Sequence, residues 1–169
     1  MFIFLLACSP NPLDVPTGEL SSSSGDWGLV STVEPFEFSE EELRLFEDIN
    51  IIRNEIGLNS LEPEAHIGAL ARYHSENMAL GDTELGHSGF QSRIASLYGD
   101  IEVISAAENV AFNDSPEQAV NEWLDSDGHA DNILGEYNLS GVGISEDESG
   151  RLYITQIFVL GAVLSPVSE

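Results

Sequence analysis

The stretch SPEQAVNEWLDSDGHADNIL, residues 115–134, decides the fold of this chain. It opens with a capping box, in which Ser115 and Gln118 satisfy free backbone amides at a helix start, and a proline occupies the first turn. Apolar residues then recur at helical spacing and predict a buried face. This face consists of Ala119, Val120, Trp123 and Leu124. We expect the helix to end near Gly128, which places His129 at its exit.

A second glycine-histidine pair lies upstream, where His87 occupies a turn-rich loop, and Glu108 stands between the two histidines. The chain has only 4 histidines, and imidazole readily binds a metal or moves a proton near neutral pH. Two imidazoles and a carboxylate form a plausible zinc set with an open position for water, and such a set can polarise water for hydrolysis. The alternative is structural: His87 and His129 bond Glu108 or loop backbone and lock the segments together.

Three further helices are predicted before residue 100. A capping box at Ser39 and Glu42 begins the first helix, and Gly57 ends it. The second runs from Pro63 to Leu80, and the third is a short helix over residues 90–97. On the second helix, we expect a hydrogen-bonded core position for His74 and a surface position for His66.

Strands are predicted at residues 102–112, 141–145 and 152–159, which are rich in β-forming residues. Residues 146–150 form an acidic, glycine-containing hairpin turn between the last two strands. Helices come first and strands last, without alternating βα units. This order predicts an α+β fold with an antiparallel sheet rather than a doubly wound fold.

Composition narrows the class of partner. The chain has 169 residues and a formal net charge of −25, from 30 acidic residues against 5 basic ones. Such a field repels nucleic-acid phosphate and anionic lipid, so we expect neither as a partner. The acid excess is typical of a solvated surface, or of a protein from a saline habitat.

The N-terminal residues predict export. Residues 1–7 are wholly apolar and lead into the single cysteine, Cys8, which excludes an intrachain disulfide and a cysteine-rich zinc site. Leu-Leu-Ala-Cys is similar to the lipobox of bacterial lipoproteins, in which the cysteine is acylated. The apolar run is too short to span a bilayer and lacks basic residues, which a start codon assigned too late would explain. Ordinary export and a cytoplasmic protein are the alternatives.

The domain plan follows from this. We expect a lipoprotein-type signal segment over residues 1–8 and a flexible linker over residues 9–38, which is rich in serine, proline, glycine and aspartate. The folded domain then covers residues 39–165.

Several motifs in one order resemble the bacterial branch of the CAP superfamily, named after cysteine-rich secretory proteins, antigen 5 and pathogenesis-related 1 proteins; its domain is also called SCP. The similarity covers about residues 45–160. The motifs are NIIRNEIGL at 50–58, ARYHSENMA at 71–79, GHS at 86–88, AENVA at 107–111, residues 115–134, GVGI at 141–144 and YITQIF at 153–158.

The resemblance implies a three-layer α-β-α sandwich around an antiparallel sheet, with an open cavity that holds zinc or another divalent ion in many members. By position, the ligands carried over are His87, Glu108 and His129. Where many eukaryotic members have a second acid, this chain has Ser126, which leaves three ligands and water. Ser126 and Gln156 are expected to line the cavity. Asn109 is assigned there too, with a scaffold role beside Glu108 as the alternative.

The functional expectation is a secreted, lipid-anchored binding module of the cell envelope, attached to the membrane only through Cys8. Its partner is a small apolar ligand, a glycan or another protein, and its cavity binds Zn²⁺ or another divalent cation conditionally. The rival hypothesis is a metal-assisted hydrolase of peptide or envelope polymer, with Glu108 or a bound water as the base. A third possibility is a purely structural domain; we favour a binding protein over an enzyme.

Overall fold

The computed structural model describes residues 35–165. Cys8, the signal segment and residues 9–34 of the predicted linker lie outside the described residues. Residues 36–38, which were also assigned to the linker, belong to the folded unit. The Arg72 guanidinium lies 4.2 Å from the centroid of the Phe36 ring and donates a hydrogen bond to the Glu37 carbonyl at 2.8 Å.

The first helix, α1, spans Glu40–Glu55 and begins with the predicted capping box. The Glu42 N–H donates to Ser39 Oγ at 3.2 Å, and the Ser39 N–H donates to Glu42 Oε2 at 2.8 Å. Gly57 ends the helix at a φ of 83°, in the left-handed region that favours glycine. Both ends of α1 therefore follow the sequence prediction.

The second helix, α2, spans Ala65–Ala79, and α3 spans Phe90–Ser96. Pro63 does not open α2 as predicted, because Glu62–Pro63 forms a short strand, β1, parallel to residues 139–140. Glu64 caps the helix instead, since its carboxylate accepts the Ile67 N–H at 2.7 Å. A proline is tolerated here because β1 lies at the edge of the sheet.

The sheet contains β1, β2 (Ile101–Asn113), β3 (Leu139–Glu146) and β4 (Leu152–Val163), in the order β1-β3-β4-β2. The pairs β2–β4 and β3–β4 are antiparallel, as predicted, whereas β1 and β3 are parallel. The sheet is therefore mixed, and β2 forms its second edge.

Helix α4 spans Pro116–Leu124, and α5 spans Asp127–Ile133. The predicted single helix ending near Gly128 is wrong. The backbone turns at Ser126, whose φ of −108° and ψ of 115° are extended, so the chain leaves one helix and starts another. Gly128 and His129 consequently lie inside α5, and His129 is not at a helix exit.

Two apolar clusters lie on opposite faces of the sheet, which gives the predicted three α-β-α layers. Residues of α2 and α3 pack with the sheet in one cluster, which includes Ile67, Ala71, Ile94, Leu97, Ile157 and Val159. Residues of α1, α4 and α5 form the other, which includes Leu45, Phe46, Ile49, Trp123, Ile133 and Phe158.

Helix α2 lies unusually close to β3. A Cβ atom at Gly143 would overlap the backbone N and Cα of Arg72, and one at Gly141 would overlap the Gly68 backbone. The Ser75 hydroxyl contacts the Gly143 carbonyl and the Thr155 hydroxyl, both at 2.9 Å. Glycine at positions 141 and 143 therefore permits this approach. No helix within residues 35–165 is long and apolar enough to cross a bilayer.

Candidate functional site

The candidate site lies at the outer edge of the sheet, where β2 meets both helical layers. Glu108 belongs to β2. His87 comes from the loop before α3, a helix that packs on one face of the sheet. His129 belongs to α5, which packs on the other face. The edge position thus brings together side chains that are far apart in sequence.

Glu108 is the centre of a polar network. Its side chain is only 1% exposed, and both carboxylate oxygens accept hydrogen bonds from Arg93 on α3. Arg93 Nε donates to Oε2 at 3.0 Å, and Nη2 reaches Oε1 at 2.9 Å and Oε2 at 2.7 Å. This two-nitrogen geometry is the strong form of an arginine–carboxylate pair. Arg93 therefore neutralises a carboxylate that is otherwise costly to bury.

His87 completes this network. Its Nδ1 lies 3.0 Å from Glu108 Oε1. Because an ionised carboxylate only accepts hydrogen bonds, Nδ1 carries the proton and Nε2 of the neutral ring keeps its lone pair. The His87 side chain is 52% exposed. Glu108 thus fixes the tautomer and orientation of a ring that remains open to solvent.

The two histidine rings lie near each other, with centroids 6.5 Å apart and ring planes inclined at 42°. Burial lowers the pKa of His129, and the neighbouring His87 lowers it further. The neutral form, which has a free lone pair, is therefore favoured for His129 near neutral pH.

The fit to a divalent cation is partial. Within residues 35–165, no group of three or more His, Cys, Asp or Glu side chains is disposed to hold a metal ion. Glu108 has both oxygens engaged by Arg93, so it does not offer a free third ligand in this geometry. Imidazole is a common ligand of divalent cations, and a carboxylate behind a ligating imidazole is the usual orienting partner. Metal binding by His87, Glu108 and His129 stays a prediction.

Asn109 has the scaffold role. It is fully buried, its Nδ2 donates to the His129 carbonyl at 3.1 Å, and its Oδ1 accepts from Asn132 at 2.8 Å. These bonds attach α5 to β2 and hold the backbone of His129 in place. The assignment of Asn109 to the cavity lining therefore does not fit the structure.

Gln156 does not line the cavity either. Its side chain is fully buried on β4, and its Nε2 donates to Ser140 Oγ on β3 at 3.2 Å. Strand β4 lies between β2 and β3 in the sheet, so Gln156 is in the interior rather than at the edge. The prediction fails because the order of strands in the sheet, which the sequence of one strand does not reveal, makes β4 an inner strand.

Ser126 lies in the wall of a groove of about 370 Å³, which His129 also lines. The groove is largely apolar, since Leu85, Val110, Phe112 and Trp123 also line it. Trp123 is otherwise a core residue, as predicted, and its Nε1 donates to the Val110 carbonyl at 3.2 Å.

The remaining histidines are accounted for. His74 is buried, and its Nε2 lies 2.7 Å from the Gly86 carbonyl, so its predicted core role is confirmed. This bond holds the backbone next to His87. His66 is half-buried on the far end of α2, and its Nδ1 lies 3.2 Å from Asp100 Oδ2.

Sequence reasoning missed Arg93. The chain has only 5 basic residues, and Arg93 follows His87 on the predicted short helix. An arginine that is 10% exposed in so acidic a chain must be paired with an acid. The sequence showed only that Arg93 lies on a predicted helix. The structure was needed to identify Glu108 as its partner.

The chain belongs to the cysteine-rich secretory protein family (CAP), because the sequence profile of that family matches residues 46–158. It is similar to the uncharacterised protein YkwD of Bacillus subtilis (strain 168), with 28% identity over 150 residues that cover 86% of this chain and 57% of that protein. It is also similar to the uncharacterised membrane protein YlbC of the same organism, with 31% identity over 130 residues. That match covers 70% of this chain and 34% of YlbC.

Solved structures show the same fold. An extracellular protein containing an SCP domain from Bacillus anthracis is 25% identical, with a TM-score of 0.62 over 71% of this chain and 40% of that one. An outer surface protein from Borrelia burgdorferi has a TM-score of 0.64 at 19% identity, over 73% of this chain and 95% of that one. At that identity, the likeness establishes the fold alone.

Proposed function

We propose that this protein is a secreted binding module whose histidine pair, His87 and His129, binds a divalent cation such as Zn²⁺. One observation carries the proposal: His87 Nδ1 lies 3.0 Å from Glu108 Oε1, and the ring centroids of His87 and His129 are 6.5 Å apart. The carboxylate contact favours the His87 tautomer whose Nε2 lone pair is free. A metal-binding imidazole needs this neutral form, fixed by a hydrogen bond at its other nitrogen.

Electrostatics support a cation over an anion. The whole chain carries a net charge of −25, which raises the local concentration of cations at its surface. At the site itself, Arg93 and Glu108 cancel each other. The two imidazoles therefore act without competing positive charge from Arg93, and water completes the coordination of an ion held by two protein ligands.

A binding role has better support than hydrolysis with Glu108 as the general base. A hydrolase of the kind considered above needs a general base within reach of the attacking water. Glu108 is 1% exposed and accepts hydrogen bonds from Arg93 on both oxygens. It is therefore committed to orienting His87 and neutralising Arg93, and a bound cation would serve mainly to polarise and hold a partner.

Secretion and lipid attachment at Cys8 form the second part of the proposal. The lipobox-like segment before Cys8 supports it, as does the similarity to an extracellular SCP-domain protein of Bacillus anthracis. Expression of the gene together with its upstream DNA, which supplies any earlier start codon, in bacteria grown with radiolabelled palmitate tests it. We expect label on the wild type and none on Cys8→Ser; an unlabelled wild type would refute acylation.

Isothermal titration of the full chain with zinc chloride tests the histidine pair. We expect binding at one equivalent, lost in His87→Ala and in His129→Ala. His66→Ala is the matched control, because His66 also faces an acid but lies outside the site. Zinc binding that survives both site substitutions, or that is lost equally in His66→Ala, would contradict the proposal.

A further inference from the structure

A second pocket, of about 400 Å³, lies on the α2 side of Arg93 and shares no lining residue with the apolar groove at His129. Helix α2, the loop that follows it and α3 form its walls. The lining side chains used below are Tyr73, Asn77, Asp82, Thr83, Ser88 and Arg93. Neither the proposed cation site nor the core uses most of them.

The walls of this pocket are held in place by hydrogen bonds. The N–H groups of Asp82 and Thr83 donate to the Asn77 carbonyl at 2.9 and 3.2 Å, which fixes the loop against the end of α2. Across the pocket, Arg93 Nη1 donates to the Ser88 carbonyl at 2.8 Å. The pocket is therefore largely preformed, which limits the ordering cost of binding a ligand.

An exposed aromatic ring stands beside polar groups in this pocket. Tyr73 is 63% exposed, and Asn77 follows it one helical turn later on the same side of α2. Asn77, Thr83 and Ser88 offer groups that both donate and accept hydrogen bonds, and Asp82 offers an acceptor. A sugar ring presents an apolar C–H face and a rim of hydroxyls, so its chemistry matches an aromatic face with such a rim.

Charge decides between a neutral ligand and an anion. Arg93 is the cation at the pocket, and Glu108 neutralises it at 2.7 Å. Asp82 leaves the pocket with a negative charge, within a chain whose net charge is −25. A phosphorylated, sulfated or carboxylated ligand would be repelled, whereas an uncharged hydroxyl-rich one would not.

We propose that this pocket binds a neutral sugar unit of a glycan, with Tyr73 as its stacking platform. The inference rests on the proposed function in one respect: it names the partner class of the secreted binding module. It does not depend on the cation site, because neither proposed cation ligand, His87 or His129, lines the pocket.

The test uses the full chain and three neutral probes, chitotetraose, cellotetraose and maltotetraose, in saturation-transfer NMR and calorimetry. We expect at least one probe to bind, and Tyr73→Ala to weaken its binding by about fivefold, since a lost aromatic contact is worth about 1 kcal/mol. Tyr73→Trp should retain binding. Tyr98→Ala is the matched control, because Tyr98 is 65% exposed and lies outside the pocket.

Three results would overturn the proposal: no binding of any neutral probe, equal affinity of Tyr73→Ala and wild type, or tighter binding of the anionic trigalacturonate. Its failure is distinguishable from failure of the cation site. The double variant of His87→Ala and His129→Ala should lose zinc binding and keep sugar binding. Tyr73→Ala should weaken sugar binding and keep zinc binding.

Discussion

Replacing Glu108 by glutamine should destabilise the domain strongly while changing almost no volume. The carboxylate is 1% exposed and faces an arginine that is 10% exposed. The neutral amide would leave the Arg93 charge without a counter-ion and would direct N–H donors toward the guanidinium. Removing one partner of a buried pair costs about 3–5 kcal/mol, and we expect the lower part of that range because Arg93 retains some contact with water.

Urea denaturation followed by circular dichroism measures this effect as a change in the free energy of unfolding. Glu102→Gln is the matched control, since Glu102 is exposed on the same strand, and it should change stability by less than about 0.5 kcal/mol. Adding Arg93→Gln to Glu108→Gln should restore part of the loss, with a coupling energy of about 2 kcal/mol. A loss below about 1 kcal/mol for Glu108→Gln, or no coupling, would refute the buried-pair reasoning.

Three further predictions concern stability. Gly143→Ala should cost about 1–3 kcal/mol or more in urea unfolding, because the new Cβ would overlap the backbone of α2. Gly128→Ala in α5 is the control: its Cβ would meet nothing within 4 Å, so this substitution should stabilise the domain by about 0.5–1 kcal/mol. Similar effects at both positions would contradict the close packing of α2 on β3. Burial lowers the pKa of His74, so the unfolded state binds a proton at this residue more readily than the folded state does. The free energy of unfolding should therefore fall as the pH drops below about 6.5. Urea unfolding at pH 7.5 and 5.5 should show a smaller fall in His74→Gln than in the wild type, and an equal fall would exclude this cause. Arg53→Lys should cost about 2 kcal/mol or more in thermal or urea unfolding. The guanidinium donates to the carbonyl of Asn59 after α1 and to three carbonyls at and just after the end of α5, those of Ile133, Gly135 and Tyr137, which lysine cannot reach together. The exposed Arg44→Lys is the control, and equal effects would refute the role.

Features that depend on neighbouring residues could be predicted from the sequence. The capping box at Ser39 and the glycine at position 57 fix both ends of α1 through local hydrogen bonds and backbone freedom. The hairpin between β3 and β4 follows in the same way. The family resemblance supplied the three-layer arrangement, which local signals alone did not.

Features that depend on distant partners could not be predicted. Pro63 suits a helix start in isolation, but pairing with β3 places it in a strand. The backbone at Ser126 is extended, which ends α4 and lets α5 begin. The Ser126 side chain makes no capping hydrogen bond to α5, so no capping pattern in the sequence indicated this break. Gln156 is buried because β4 is an inner strand, a consequence of sheet order.

The candidate site also has one feature that the sequence predicted and one that it did not. That His87, Glu108 and His129 meet was expected, and the structure brings them together. That Glu108 orients His87 rather than serving as a free ligand depends on Arg93, which α3 carries to the carboxylate. The role of the Glu108 carboxylate depends on the group that neutralises it, and that group, Arg93, lies on α3 rather than on β2.

The most direct measurement is a long-range ¹H–¹⁵N spectrum of the histidine rings, recorded near neutral pH with and without one equivalent of zinc chloride. Without metal, we expect the His87 ring to be protonated at Nδ1 and bare at Nε2; with zinc, Nε2 of His87 and one ring nitrogen of His129 should shift together. A His87 ring protonated at Nε2, or a zinc titration that shifts only one of the two rings, would contradict the account.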